Sequence, residues 1–255
     1  MIKKILHFGC SFAIGNGIPK KVKGLKSGAY VHATRYSRQE FKKAYDIHSV
    51  ELTNCCSVLS KSLGLSYSVI AENGASNERT FRTLLKENLK KSFVLIGLTN
   101  DSRREGLTTT HDKSHWHTWK MADPRTTPYY KLLPFNPWGK EYTPAIDEEN
   151  QIRTVIQILY MQSYLKLKNI PYLMYNALYN SLDAPLTVEC KELLHMVDQT
   201  HFYELQGNSS TTQHGYCLEN DLVVSDRDEH PNVLGHQEWA NKLLPQIKEI
   251  IDNGN

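Results

Sequence analysis

The sequence predicts an α/β protein, a three-layer α/β/α sandwich in which a parallel sheet of five strands lies between two layers of helices. Short apolar segments alternate along the chain with longer segments whose apolar residues repeat at helical spacing. The apolar segments are nearly continuous, which is typical of strands buried on both faces of a parallel sheet. The chain has 255 residues, enough for one large α/β domain, and we predict a single domain over residues 1–255.

The strand candidates share an apolar run that ends at a polar residue or a turn signal. The run at residues 92–98, which contains Phe93-Val94-Leu95-Ile96, is the clearest of them. In chain order the five predicted strands are residues 5–8, 66–71, 92–98, 171–177 and 201–205.

The helix candidates show apolar residues at helical spacing, several with a start or stop signal. Gly64 is a stop signal, and Ser76 or Asn77 can cap the helix that follows. Pro245 is expected to kink the last helix. The predicted helices are residues 49–63, 78–90, 147–168, 186–197 and 233–251, with a short helix at 38–45.

Residues 106–146 interrupt this alternation with tryptophan, tyrosine, proline and histidine. A structureless loop of this length is unusual unless it is functional. We interpret it as a lid or substrate-binding insertion, with a dimer contact as the alternative. Trp116 and Trp119 suit a sugar-stacking surface, a lid core or an oligomer interface equally. His111, Asp112, His115 and His117 are alternative zinc ligands, but no regular helix presents them, so we predict no metal.

Composition excludes several classes of function. A net charge of +3 is too small to indicate a nucleic acid or an anionic membrane as partner. The five cysteines are odd in number and lack a Cys-Xaa-Xaa-Cys pair, so we expect no disulfide framework and a reducing compartment. No apolar window reaches the ~18 residues of a membrane span. The start of the chain lacks a small-residue cleavage site, and we expect no signal peptide.

Polar residues follow the predicted strands at the carboxyl edge of the sheet. Ser11 follows the first strand, Gly74 the second and Asn100 the third, and His230 lies beyond the last. Ligands bind at this edge in open α/β sheets, and a serine needs a base to become a nucleophile. Considered alone, Ser11 could equally be a serine that favours a turn. His230 could equally be a histidine near the start of a helix. Cys10 fits a packing role better than that of a nucleophile.

These segments resemble the four sequence blocks of the SGNH/GDSL hydrolase family, which supply a serine, a glycine, an asparagine and a histidine in that order. Residues 5–12 resemble the serine block, with Cys10 where the family usually has aspartate, and residues 73–77 resemble the glycine block. Residues 96–101 resemble the Gly-Xaa-Asn-Asp block with one extra residue. Residues 228–236 resemble the histidine block, the most specific match. The resemblance implies a flavodoxin-like arrangement of the five-stranded sheet.

The resemblance also implies roles for these residues. Ser11 would attack an ester or amide carbonyl, and His230 would take its proton and later donate it to the leaving group. The backbone N–H groups of Ser11 and Gly74 and the side chain of Asn100 would hold the developing oxyanion. No cofactor and no metal are required.

Two departures from the family pattern leave alternatives open. The family's orienting aspartate commonly lies three residues before the histidine, where this sequence has Arg227. Asp228 and Asp226 flank that position, and we expect Asp228, the nearer to the histidine, to orient it. The extra residue in the third block leaves Thr99 as an alternative to Asn100 at the oxyanion position.

We therefore expect a serine esterase that removes an acetyl or other short acyl group, with an acylated carbohydrate as the favoured substrate. Arg103, Trp116 and Trp119 are the candidate substrate-binding residues, and Arg103 could meet an anionic substrate. The expected partner is a small-molecule or glycan ester, and a homo-oligomer or an assembly partner is a further option. The alternative is a catalytically silent SGNH-like module in a viral particle or surface assembly. The expected location is accordingly cytoplasmic or virion-associated.

Overall fold

The computed structural model describes residues 1–15, 54–99, 103–110, 113–120, 144–180, 182, 185–225 and 228–254. The short helix predicted at residues 38–45 lies outside these ranges. In chain order the described strands are β1 (Lys4–Gly9), β2 (Ser66–Ala71), β3 (Ser92–Leu98), β4 (Arg103–Thr110), β5 (Lys113–Lys120), β6 (Tyr172–Asn176), β7 (Phe202–Tyr203), β8 (Val223–Ser225) and β9 (Asp228–Pro231).

Five of these strands form the central sheet, in the order β2-β1-β3-β6-β7. Every neighbouring pair in it is parallel. The register places Phe8 of β1 between Ile70 of β2 and Ile96 of β3. All seven residues of β3 are buried, as expected for a central strand covered on both faces. The predicted fold class is confirmed.

Helices cover both faces of this sheet. They are α1 (Ser11–Ile14), α2 (Cys55–Leu63), α3 (Asn77–Leu84), α4 (Pro144–Leu167), α5 (Val188–Leu194), α6 (Gln213–Glu219) and α7 (Val233–Asn253). Alternate residues of each strand point to opposite faces, so the sheet contributes to two separate cores. Val94 and Ile96 of β3 pack with α3, α4 and α5, whereas Phe93 and Leu95 pack with α1, α2 and α7. The fold is therefore a three-layer α/β/α sandwich.

Several boundaries differ from those predicted. Helix α3 ends at Leu84 instead of near residue 90, because a turn follows in which the Asn88 side chain accepts from the Lys90 N–H. Helix α4 begins at Pro144, a residue tolerated in a first helical turn because its missing N–H would have no partner there. Helix α7 continues past Pro245 to Asn253 as one element.

The prediction of a structureless insertion at residues 106–146 is wrong for residues 106–110 and 113–120, which lie in strands. Strands β4 and β5 form an antiparallel hairpin, with Arg103 opposite Lys120. The buried carboxylate of Glu105 attaches the base of this hairpin to α3, because it accepts from Nε and Nη2 of Arg82 at 2.8 and 2.6 Å. Residues 121–143 lie outside the described ranges. Among the described helices, none combines the length and the apolar character needed to cross a membrane.

Candidate active site

Ser11 is the first residue of α1 and lies just beyond the carboxyl end of β1. Gly9 permits the close approach of this turn to β3, since a Cβ atom at Gly9 would lie 3.0 Å from the carbonyl oxygen of Gly97. The N–H groups of Ala13 and Ile14 donate to the carbonyl oxygen of Cys10 at 3.0 and 3.2 Å. The serine is 3% exposed, so its side chain lies at the base of this edge.

Gly74 lies in the turn that follows β2. Its φ of 74° is in the left-handed region, which glycine adopts without a steric penalty. A Cβ atom there would meet nothing within 4 Å, so backbone conformation is what favours glycine. The N–H of Glu72 donates to the carbonyl oxygen of Gly9 at 3.3 Å. This bond ties the Gly74 turn to the residue two positions before Ser11.

Thr99 follows β3 and is held by Asn77, the first residue of α3. The N–H of Thr99 donates to Oδ1 of Asn77 at 2.9 Å, and Nδ2 of Asn77 donates to the Thr99 carbonyl oxygen at 3.4 Å. Both residues are buried, and the side chain of Asn77 takes the place of a neighbouring strand at the end of β3. The predicted oxyanion donor Asn100 lies outside the described residues.

His230 and Asp228 lie together on β9. Nδ1 of His230 is 2.6 Å from Oδ1 of Asp228, and the backbone N–H of His230 donates to the same oxygen at 3.3 Å. An aspartate at Nδ1 favours the tautomer that carries its proton there and leaves the Nε2 lone pair open. The two side chains are 23% and 28% exposed. The alternative partner Asp226 lies outside the described ranges.

Phe12 connects the serine turn to this histidine. Its ring centroid lies 5.1 Å from that of His230, which places the imidazole against the residue next to Ser11. Among the described residues, no hydrogen bond joins the Ser11 hydroxyl to His230. The structure thus places His230 against Phe12, the residue that follows Ser11 in the chain.

A second histidine–carboxylate pair, absent from the sequence analysis, lies on the other flank of Phe12. Nε2 of His214 is 2.8 Å from Oε2 of Glu229, and the rings of Phe12 and His214 are 5.7 Å apart. His214 lies in the first turn of α6, which begins at Gln213. The available signal was Thr212, which caps this helix by accepting from the Gly215 N–H at 3.0 Å.

A buried chain of polar side chains links β1, β6, α6 and α7. Nε2 of His7 lies 2.9 Å from the Tyr175 hydroxyl, which donates to Oε1 of Gln213 at 3.4 Å. Nε2 of Gln213 lies 3.4 Å from Nδ1 of His236, and the N–H of Cys55 donates to that nitrogen at 3.3 Å.

Both histidines of this chain are neutral at pH 7. Burial, with a smaller effect from His236, lowers the pKa of His7 to about 3. Burial likewise lowers the pKa of His236 to about 3, with a smaller effect from His230. The polar chain is therefore an uncharged connection through the interior.

Arg103, a candidate substrate-binding residue, reaches the same edge. Its Nη1 donates to Oγ1 of Thr99 at 2.7 Å and to the carbonyl oxygen of Ala75 at 3.5 Å. Trp116 and Trp119, the other two candidates, lie in β5 of the hairpin whose first residue is Arg103. The hairpin is therefore the segment that connects all three candidates to the site.

Within the described part of the chain, no group of three or more His, Cys, Asp or Glu residues is arranged to hold a metal ion. His111 and Asp112, two of the alternative metal ligands, lie outside it. All five cysteines are buried and free. The groups that the described residues do gather are a serine hydroxyl, backbone amides at two turns and a carboxylate-bound imidazole, which acyl-transfer chemistry uses.

No protein-family model matches the chain, and no curated protein matches its sequence. Solved structures do resemble it. An acetyl xylan esterase from Butyrivibrio proteoclasticus is 13% identical with a TM-score of 0.45, over 98% of this chain and 64% of that one. A lipase/acylhydrolase from Enterococcus faecalis is 12% identical with a TM-score of 0.43, over 97% and 96% of the two chains.

A carbohydrate esterase family 2 enzyme with a carbohydrate-binding domain, from Corynascus thermopiles (Myceliophthora fergusii), is 14% identical with a TM-score of 0.46. The match covers 98% of this chain and 67% of that one. The chain spans less than two thirds of a further carbohydrate esterase, 65% of its length. The activities in these names are those of the proteins that carry them. For this chain, the five-stranded parallel sheet confirms the fold that the SGNH/GDSL resemblance implies.

Proposed function

We propose that the protein is a serine hydrolase that cleaves an ester, with an acetyl or other short acyl group on a carbohydrate as the preferred substrate. The observation that carries the proposal is the His230–Asp228 pair, in which the His230 ring packs against Phe12, the residue next to Ser11. An imidazole whose Nδ1 is bound to a carboxylate has its Nε2 available as a base. That is the requirement for activating a serine hydroxyl.

In the proposed reaction, Nε2 of His230 accepts the proton of the Ser11 hydroxyl as Oγ attacks the ester carbonyl carbon. The carbonyl oxygen becomes an oxyanion, which the backbone N–H groups of Ser11 and Gly74 stabilise. Collapse of this intermediate breaks the bond to the alcohol, which leaves with the proton from His230. Water then attacks the acyl-enzyme by the same route and releases the acid.

The third oxyanion donor is Thr99 or Asn100. The Thr99 hydroxyl oxygen accepts from Arg103 at 2.7 Å, so its own proton is still available to an oxyanion. The two hydrogen bonds to Asn77 fix the backbone of Thr99, and such preorganisation is what an oxyanion donor needs. Asn100 remains the donor that the family resemblance implies.

Two features support the choice of a carbohydrate ester. The family that the sequence resembles often acts on such esters, and Trp116 and Trp119 lie on the hairpin that begins at this edge. Indole rings stack on the apolar faces of sugars. This part of the proposal predicts that the rate of deacetylation is higher on acetylated oligosaccharides than on simple aryl acetates.

The proposal is tested by hydrolysis of 4-nitrophenyl acetate with purified variants. Ser11→Ala and His230→Ala are each expected to lower kcat by about 10³-fold or more, because each removes a group that acts in the transition state. Ser68→Ala and His195→Ala, at exposed positions outside the site, serve as matched controls and should stay near the wild-type rate. A Ser11→Ala protein that retains full activity would exclude the serine mechanism.

Asp228→Asn tests the orienting carboxylate. The amide occupies the same volume but no longer favours the tautomer with a proton on Nδ1, so kcat should fall by about 10²–10⁴-fold. Glu229→Gln changes the neighbouring carboxylate, which contacts His214 instead, and should lower kcat by less than about fivefold. Equal effects of the two variants would contradict the assignment of Asp228.

A further inference from the structure

The hairpin fixes Arg103 at the edge of the candidate active site. Glu105, two residues further along β4, is buried against Arg82 and lies 3.8 Å from Arg79 of α3. Side chains two positions apart in a strand point to the same face of the sheet. The ion pairs of Glu105 therefore anchor the base of the hairpin and direct Arg103 toward the same side, where it meets Thr99 and Ala75.

Arg103 is bound differently from the arginines around it. Arg79, Arg82 and Arg153 each contact a glutamate. Arg103 is half-buried, and within the described part of the chain it donates to a hydroxyl and a carbonyl oxygen. No carboxylate among the described residues forms an ion pair with it. Its positive charge is therefore held beside the Gly74 turn by neutral acceptors.

One edge of the Arg103 guanidinium makes no hydrogen bond to the residues that the structure describes. Arginine has five N–H donors in a planar fork, and both hydrogen bonds of Arg103 to the described residues use Nη1. Among the described residues, neither Nε nor Nη2 has an acceptor, and an N–H of each points in the same direction. That pair of donors matches the two oxygens of a carboxylate or phosphate, which arginine binds bidentately.

The surrounding charge favours a monoanion. Burial raises the pKa of the Tyr179 hydroxyl, Glu229 raises it further, and Arg103 lowers it. Arg103 and Glu229 therefore both act on Tyr179, a residue that is 57% exposed. Because a carboxylate acts on the same tyrosine as Arg103, a singly charged ligand is repelled less than a doubly charged phosphate.

We propose that Arg103 binds a carboxylate group of the substrate, so that the natural substrate is an ester formed on a hydroxyl of a sugar acid or another hydroxy acid. This inference rests on the proposed ester hydrolysis and adds the charge of its substrate. Arg103 is then the residue that selects acidic over neutral esters, while Ser11 and His230 carry out the reaction.

The test compares two acetates that differ in one charge, 4-acetoxybenzoate and its methyl ester. The wild type should have a kcat/KM about tenfold or more higher for the acid. Arg103→Gln also removes the bond to Thr99, which affects both esters, so the test is the ratio of their kcat/KM values. This ratio should fall by about 10–100-fold, as expected for the loss of a bidentate charged contact. Arg103→Lys should recover only part of the preference, because an ammonium cannot form the two parallel bonds.

Lys90→Gln is the control for charge, since it removes one positive charge at an exposed position before β3, at the opposite edge of the sheet. It should keep the wild-type ratio of the two esters. A wild-type ratio near one, or an equal loss on both esters in Arg103→Gln, would overturn the proposal. A preference for 4-acetoxyphenyl phosphate over 4-acetoxybenzoate that disappears in Arg103→Gln would show that Arg103 selects a phosphate. That result would also overturn the proposal of a carboxylate ligand.

A binding measurement separates this inference from the proposed reaction. 4-Acetamidobenzoate and its methyl ester carry an amide in place of the scissile ester, and calorimetric titration measures their Kd without turnover. The wild type should bind the acid about tenfold or more tightly than the methyl ester, and Arg103→Gln should bind both equally. If no ester is hydrolysed but this difference persists, the hydrolase proposal fails and the anion site stands. Equal affinities in the wild type would overturn the anion site.

Discussion

Acidification should destabilise the protein through the two buried histidines, His7 and His236. Burial lowers the pKa of each from 6.5 to about 3 in the folded protein. Between these values the unfolded chain binds more protons than the folded one, so the free energy of unfolding falls as the pH falls. Their contribution is fully present above pH 6.5 and is lost progressively down to pH 3.

The magnitude follows from proton binding to the unfolded chain. Between pH 7 and pH 5 each histidine of the unfolded chain takes up nearly one proton, which stabilises the unfolded state by about 2 kcal/mol. This free energy depends little on the pKa in the folded protein, because a histidine with a folded pKa well below 5 stays neutral there over this pH range. The two histidines together lower the free energy of unfolding by about 4 kcal/mol, a large share of the 5–15 kcal/mol typical of domains.

Urea unfolding at pH 7 and pH 5 measures this loss. In His7→Gln the side chain cannot titrate but can still donate to the Tyr175 hydroxyl, so the loss between the two pH values should shrink by about 2 kcal/mol. His195→Gln, at an exposed position, should keep the wild-type pH dependence. If wild type and His7→Gln lose the same free energy on acidification, the reasoning about burial is refuted.

Two further variants test the packing around the site. Asn77→Ala removes both bonds to Thr99 and leaves its buried N–H without a partner, so it should lower the free energy of unfolding by about 1–3 kcal/mol in urea unfolding; an unchanged midpoint would show that the contact contributes nothing. Gly97→Ala places a Cβ 2.8 Å from the Tyr175 hydroxyl, which is fixed by its own hydrogen bonds. It should lower the melting temperature, at a cost of about 1–3 kcal/mol, and a wild-type melting temperature would contradict the close contact.

The sheet could be predicted because its strands are marked by local composition. The predicted bounds of β2 and β3 agree with the structure residue for residue, since both are apolar runs between a turn and a polar residue. The hairpin β4/β5 was missed, although Thr108, Thr109 and Thr110 favour strands. The prolines and aromatic residues around it indicated an irregular segment. The prediction relied on the composition of the whole insertion and therefore overlooked the three consecutive threonines.

The site was less accessible to sequence reasoning. The placement of Ser11 and Gly74 beyond strand ends follows from local patterns. The contacts that define their surroundings do not, because they join residues far apart in the chain. His7 and Tyr175 are separated by 168 positions, and no periodicity connects them. His214 was missed for the same reason, since its partner Glu229 becomes a neighbour only when β9 packs against α6.

The claim that Ser11 is a nucleophile activated by His230 is tested most directly by covalent labelling. A fluorophosphonate reacts with an activated serine oxygen and releases fluoride, and peptide mass spectrometry locates the adduct. We expect a single adduct on Ser11, formed at least about 100-fold more slowly in His230→Ala, with labelling unchanged in Ser68→Ala. A folded wild-type protein without an adduct on Ser11 would contradict the claim and favour a catalytically silent module.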